Sequence, residues 1–255
     1  MPPPPHPRLP APRPGISFVV AAAAALQLGP AALAIPPLTR YWTRACRPAA
    51  GAHVALTFDD GPHPHGTPAV LEVLADFEVS ASFFVVGEQA ERHPDLIARI
   101  AAAGHGVELH GYRHRLLVRR SPIAARADIR LGYRTVHQLS GRNPQWFRPA
   151  YGTGTGPALG AAHRLGMTPV WWSSEGQDWR AGQGPVAITD RIVRRLDDGR
   201  LGLDHRDVLL LHDSDAYAAT GSWRATVAAL PRILSDVHAA GLTVGPLPRS
   251  ARRPD

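Results

Sequence analysis

The sequence predicts an α/β fold: a parallel sheet of seven strands, closed or nearly closed, alternating with helices. Three observations carry this. Short apolar runs alternate with longer amphipathic stretches from residue 54 to residue 244. The polar clusters that carry chemistry fall just after the apolar runs, on the face where barrels of this class place their sites. Once the first 47 residues are set aside, about 200 remain, enough for one substantial core. We therefore divide the chain into an N-terminal segment (1–47), one folded domain (48–250) and a short tail (251–255), with no internal repeat or linker splitting the domain.

The elements follow in order. Val54–Phe58 is a continuous apolar run and reads as a buried strand. Thr67 and Pro68 open a helix that runs to Phe77, and Ser82–Val86 is the second strand. Pro94 starts a helix to Ala103, with Gly104 as its stop, and Val107–Leu109 follows as a short strand. Ser121 and Pro122 cap a long amphipathic helix to Leu139, ended by Gly141. Trp146–Arg148, Thr168–Trp172, Val208–Leu211 and Leu242–Val244 are the remaining strands. Helices over Pro157–Leu165, Pro185–Leu196 and Trp223–Ala240 connect them.

The chemistry begins where the first strand ends, in Thr57-Phe58-Asp59-Asp60-Gly61-Pro62. Two adjacent carboxylates at a buried strand end resist joint ionisation unless a cation compensates. With a metal, one carboxylate ligates and the other stays free as a base. Gly61 and Pro62 supply the turn that releases the chain. A charged turn after a strand is the alternative reading of this hexapeptide. Downstream, His110 and His114 are four residues apart in His110-Gly111-Tyr112-Arg113-His114, close enough to converge on one ion if the backbone turns once between them. Together with the double aspartate they form an Asp-His-His set with open positions for water and substrate.

Three more blocks fall at the ends of predicted strands: Phe147-Arg148-Pro149-Ala150-Tyr151-Gly152, Gln177-Asp178-Trp179-Arg180 and Leu209-Leu210-Leu211-His212-Asp213. With five blocks in this order, the chain resembles the NodB-type polysaccharide deacetylases, carbohydrate esterase family 4, from about Ala52 to Pro246. The resemblance implies a distorted (β/α)7 barrel. It implies Asp59 as catalytic base, and Asp60, His110 and His114 as ligands of a divalent metal, with Zn²⁺ the family's usual ion. Arg148 corresponds to the arginine that orients and charge-balances the base. Tyr151 corresponds to the residue whose backbone N–H helps bind the oxyanion. Asp178 corresponds to the aspartate that tunes the catalytic acid, His212, and is expected to hold it protonated. Trp179 forms a pocket wall, and Leu210 receives the acetyl methyl, facing the same side of its strand as His212. Two positions depart from the family pattern. Gly111 stands where a Ser or Thr commonly braces the loop, and Ala150 where a second proline is common.

Other residues take plainer readings. His63 and His65 are read as loop residues, because the ligand set is complete without them. At least one of Trp171 and Trp172 is expected in the core. Asp215, Tyr217 and Trp223 are candidates for the cleft wall.

The N-terminus stands apart. Residues Met1–Pro14 are proline-rich, and Gly15–Leu38 is uncharged, apolar and long enough to span a bilayer. Arg8 and Arg13 precede it, and Ala32-Leu33-Ala34 is a candidate cleavage site. Pro30, Pro36 and Pro37 argue against a straight spanning helix, and an apolar helix packed on the barrel is a further alternative. The expected location is therefore outside the cell, secreted or membrane-anchored, with membrane association through residues 15–38. One cysteine, Cys46, excludes an intramolecular disulfide. The net charge of +7 comes entirely from arginine, which favours an anionic polymer. The arginines are dispersed and no nucleic-acid motif accompanies them, so no nucleic-acid partner is expected.

The expected function is metal-dependent removal of N-acetyl groups from N-acetylglucosamine units of a polysaccharide, peptidoglycan or chitin-like. The alternatives are an O-acetyl esterase on xylan or another acetylated glycan, and a catalytically silent carbohydrate-binding protein. Oligomeric state is left open.

Overall fold

The structure is a computed structural model that describes residues 24–25, 27–34, 53–193, 202–204 and 207–248. Most of the N-terminal segment, the 251–255 tail and Leu196 at the end of an expected helix lie outside these residues. Of the apolar stretch 15–38, a 3-10 turn at Gly29–Ala34 is described. Among the described residues no helix is long and apolar enough to cross a membrane.

The centre of the sheet is β1 (His53–Asp59), buried along nearly its whole length. It pairs in parallel with β2 (Ser82–Val85) on one path and β7 (Val208–His212) on the other. From β2 the sheet continues through β3 (Gly106–Leu109) and β4 (Trp146–Phe147) to β5 (Thr168–Pro169). From β7 it reaches β6 (Ser174–Glu175), and β8 (Thr243–Gly245) pairs with the start of β1. The order is β5-β4-β3-β2-β1-β7-β6, with β5 and β6 at opposite ends, so the sheet curls into a half-barrel and leaves a gap between them.

From β1 onward, among the described residues, the helices are α1 (Gly66–Asp76), α2 (Gly87–Arg92), α3 (Pro94–Ala102), α4 (Pro122–Ser140), α5 (Gly156–Arg164), α6 (Pro185–Val193) and α7 (Trp223–Ala239). Their ends follow local chemistry. Ser121 Oγ accepts the Ala124 N–H at 3.2 Å, Pro122 occupies the first turn, and Gly141 closes α4 in the left-handed conformation at φ 66°.

Period-two alternation along the strands sorts the core into two compartments. Val54, Leu56, Phe58, Phe83, Val85, Leu209 and Leu211 belong to the large apolar core shared with the helices. Their alternates Ala55, Phe84 and Val208 join Trp146, Val170 and Leu247 in a small inner core. Thr57, Asp59, Leu210 and His212 share the inward phase of the same strands. That places the polar chemistry inside the curl, at its C-terminal end.

The sequence reading and the structure differ in two places. The expected fifth strand, Thr168–Trp172, ends at Pro169, and pairing resumes only at β6. Pro169 has no N–H to extend a ladder, and Trp171 turns its indole to donate from Nε1 to Gly152 O at 2.7 Å. Among the described residues the count therefore becomes eight strands rather than seven. Helix α2 has no counterpart in the sequence reading, because six residues are too few to show a period.

Candidate active site

Asp59 is the last residue of β1 and Asp60 the first beyond it, held at φ 75° in the left-handed region that aspartate tolerates better than most residues. The next residue has to be small: a Cβ on Gly61 would lie 2.5 Å from Asp213 Oδ2.

Asp60 faces the histidines. His110, just past β3, and His114, four residues on, bring their Nε2 atoms to 3.4 and 3.2 Å from Asp60 Oδ1. That oxygen is buried and has no hydrogen-bond partner. Among the described residues this is the one group of three ligating side chains, with donor atoms all within 4.8 Å of one another. His110 Nδ1 lies 2.9 Å from Arg148 O, and donating there leaves the Nε2 lone pair free. A buried, unsatisfied carboxylate oxygen and two convergent imidazoles fit a divalent cation. Burial pushes the Asp60 carboxyl up, but the nearby imidazoles of His110, His212 and His114 outweigh it and bring it to about 2. Burial takes His114 down to about 4 against the pull of Asp60. Both directions favour the forms that ligate.

Asp59 faces Arg148, which is fully buried just beyond β4. Arg148 Nη1 donates to Asp59 Oδ1 at 2.7 Å and to Thr57 Oγ1 at 2.8 Å, Nη2 reaches Trp171 O at 3.3 Å, and the guanidinium lies 4.1 Å over the Phe84 ring. Burial lowers the Arg148 pKa, and Asp59 opposes this.

His212 is the direct register neighbour of Asp59 across the β1–β7 ladder. Its Nδ1 lies 2.8 Å from Asp178 Oδ1, while Asp178 Oδ2 accepts the His212 backbone N–H and the Thr226 hydroxyl, both at 2.7 Å. Burial works against the imidazolium. The charge and hydrogen bond of Asp178, aided by Asp60 and Asp59, overcome it and raise His212 to about 10. With Nδ1 committed to Asp178, Nε2 is the atom left to give a proton.

These groups open into one cavity of about 340 Å³ lined by Asp59, Asp60, His110, His114, Tyr151 and His212 together with Trp179 and Leu210. Arg148 and Asp178 lie behind it, reaching it through Asp59 and His212. Tyr151 adopts φ 59° and presents an exposed ring. Gly152, Trp172, Glu175 and Tyr217 complete the lining, with Trp172 Nε1 donating to Glu175 Oε2 at 2.7 Å. Trp171 is the core member of its pair. Of the three cleft-wall candidates only Tyr217 lines the cavity. Asp215 Oδ1 instead lies 3.1 Å from His63 Nε2, and Trp223 packs beside the His63 ring. His63 and His65 stay in their loop, where His63 Nδ1 accepts the Gly66 N–H at 2.9 Å. Asp213 is likewise no cavity residue. Burial raises it to about 7 against the opposing hydrogen bond of the Thr67 hydroxyl, and the same hydroxyl accepts the His63 N–H at 2.7 Å. The sequence reading missed Thr226 and Glu175, for which no local pattern exists.

A parallel half-barrel with a three-residue ligand set and two separate carboxylate-anchored pairs at its mouth is the layout of a hydrolase. The polysaccharide deacetylase family matches residues 47–170. A chitooligosaccharide deacetylase of Sinorhizobium fredii is 36% identical over 209 residues, covering 77% of this chain and 91% of that protein. A peptidoglycan-N-acetylglucosamine deacetylase of Bacillus cereus is 35% identical over 154 residues, 60% of this chain and 56% of that one. The crystal structure of the Bc1960 peptidoglycan N-acetylglucosamine deacetylase superposes with a TM-score of 0.69 at 31% identity, over 79% of this chain and 89% of that chain. The chain belongs to the polysaccharide deacetylases, carbohydrate esterase family 4.

Proposed function

We propose that this enzyme hydrolyses the N-acetyl group of N-acetylglucosamine residues in a chitin-like or peptidoglycan chain, with Zn²⁺ held by Asp60, His110 and His114. The observation that carries the reading is one cavity uniting that ligand set with the Asp59–Arg148 and His212–Asp178 pairs. The substrates named for its relatives point the same way.

When bound, the ion polarises the amide carbonyl and acidifies the attacking water. Asp59 takes a proton from that water, its position fixed by Arg148. The Tyr151 backbone N–H donates to the carbonyl oxygen as negative charge grows there. Leu210 receives the acetyl methyl, and Trp179 walls the sugar. The C–N bond breaks as His212 Nε2 gives its proton to the departing nitrogen, leaving acetate and a free amino sugar.

The test is acetate and free-amine formation from N-acetylglucosamine oligomers and from peptidoglycan, with Asp59→Asn as the inactive control. Release from either substrate, lost in the variant, is the expected result. Release from acetylated xylan alone would move the reading to an O-acetyl esterase.

We also infer export, because residues 15–38 carry no charge and follow Arg8 and Arg13. Cell fractionation of the native host tests this, and a purely cytosolic chain would contradict it.

A further inference from the structure

We propose that Tyr217 is a positioning residue for His114, holding by ring stacking a metal ligand that its own loop leaves unanchored. This rests on the reading of Asp60, His110 and His114 as metal ligands.

The two histidines are supported differently. A metal-ligating imidazole is ordinarily oriented through its other nitrogen, by a carbonyl or carboxylate. His110 has such a partner in Arg148 O. His114 Nδ1 is buried and has none. Nor does the loop offer a hydroxyl at Gly111, where φ is +95° and an added Cβ would lie 3.2 Å from Asp128 Oδ2 and 3.4 Å from Arg113 O. The loop backbone is braced instead by Asp128 of α4, which accepts the Tyr112 N–H at 3.0 Å. That bond fixes the main chain and leaves the His114 ring to turn about its own side-chain torsions.

Ring packing supplies the missing restraint. The Tyr217 ring stacks on His114 at 4.4 Å between centroids and 23° between planes, and the Tyr151 ring lies tilted against His114 at 4.4 Å and 55°. Tyr151 is 57% exposed at the cavity rim, whereas Tyr217 is half-buried and tethered. Its hydroxyl donates to Glu88 Oε1 at 2.8 Å and accepts from Gln89 Nε2 at 3.1 Å. Both partners lie in the first turn of α2, and α2 is tied to the ligand loop by Gly87 N–H to Gly111 O and Glu88 N–H to Tyr112 O, each 2.9 Å. Tyr217, α2 and the histidine loop therefore form a closed circuit, and the Tyr217 ring acts on His114 from a fixed mount.

The test is Zn²⁺ affinity of the metal-stripped full chain, read by competition with a chromogenic chelator, for the parent, Tyr217→Phe and Tyr217→Leu. The Co²⁺-substituted absorption spectrum reports ligand geometry in parallel. We expect Tyr217→Leu to weaken Zn²⁺ binding by about 10-fold or more, the scale of lost outer support at metal sites, and to alter the Co²⁺ bands. Tyr217→Phe, which keeps the ring but loses its hydroxyl tether, should fall between the parent and Tyr217→Leu. Parent-like affinity and spectrum in a folded Tyr217→Leu chain would overturn the inference and leave the metal site intact. Failure of the parent chain to bind Zn²⁺ would overturn the inference together with the metal-site reading.

Discussion

The two sides of the cavity are held by different physics. On the sheet side, Asp59–Arg148 and His212–Asp178 are buried at strand ends and fixed by bonds of 2.7 and 2.8 Å, with Thr57 and Thr226 completing the carriers' partners. On the loop side, the His114 ring is held by ring contacts with Tyr151 and Tyr217, and Trp179 and Tyr151 reach solvent. Proton carriers need a defined charge and position, which a low-dielectric interior with matched hydrogen bonds provides. A surface that meets a polymer of repeating sugars needs broad apolar faces, and rings at a rim supply them.

On this division, changes on the sheet side act on catalysis and on folding, and changes on the rim act on binding. Asp59→Asn should lower kcat by about 10²–10⁴-fold with little change in KM, the range for loss of a positioned base, measured by steady-state acetate release. Arg148→Leu leaves a carboxylate buried without its cation and should cost about 3–5 kcal/mol of stability, read by denaturant unfolding.

Asp178→Asn acts through His212. That imidazole stays protonated up to about pH 10 in the folded chain, against 6.5 as its ordinary value. Because the folded value is the higher one, the stability contributed by the pair is fully present below about pH 6.5. It is lost as pH rises through about 10. A cation on Asp60 removes that residue's share, so the alkaline limb of kcat in the loaded enzyme should fall somewhat below 10. The asparagine variant should move the limb further toward neutral pH, and an unmoved limb would break the assignment of His212 as the acid. The smallest effect is expected at the rim, where Trp179→Ala should raise KM by about 2- to 10-fold, corresponding to ~0.5–1.5 kcal/mol of ring packing, with kcat nearly unchanged. A collapse of kcat there would erase the contrast between the two sides.

The sheet side was largely legible in the sequence because its residues sit in strand-end motifs: strand periodicity places Asp59 and His212, and the turn residues Gly61 and Pro62 mark the exit from β1. The rest depends on contacts between distant segments. Thr226 meets Asp178 across 48 positions and Tyr217 meets Glu88 across 129, separations that leave no local trace. The apolar character of Trp171 and Trp172 predicts strand, yet Pro169 ends the ladder and the two indoles bond to different partners, Gly152 O and Glu175. Gly111 was visible as a departure from the family pattern. What supports His114 in its absence was not, since that support comes from a ring anchored on another element.

The most direct test of the account is acetate release from N-acetylglucosamine oligomers by the full chain, stripped of metal and then titrated with Zn²⁺. Release that is absent after stripping, returns to a plateau at one equivalent of Zn²⁺ and fails to return in Asp60→Asn is the predicted result. Release that persists through complete stripping, at the rate of the untreated chain, would contradict it.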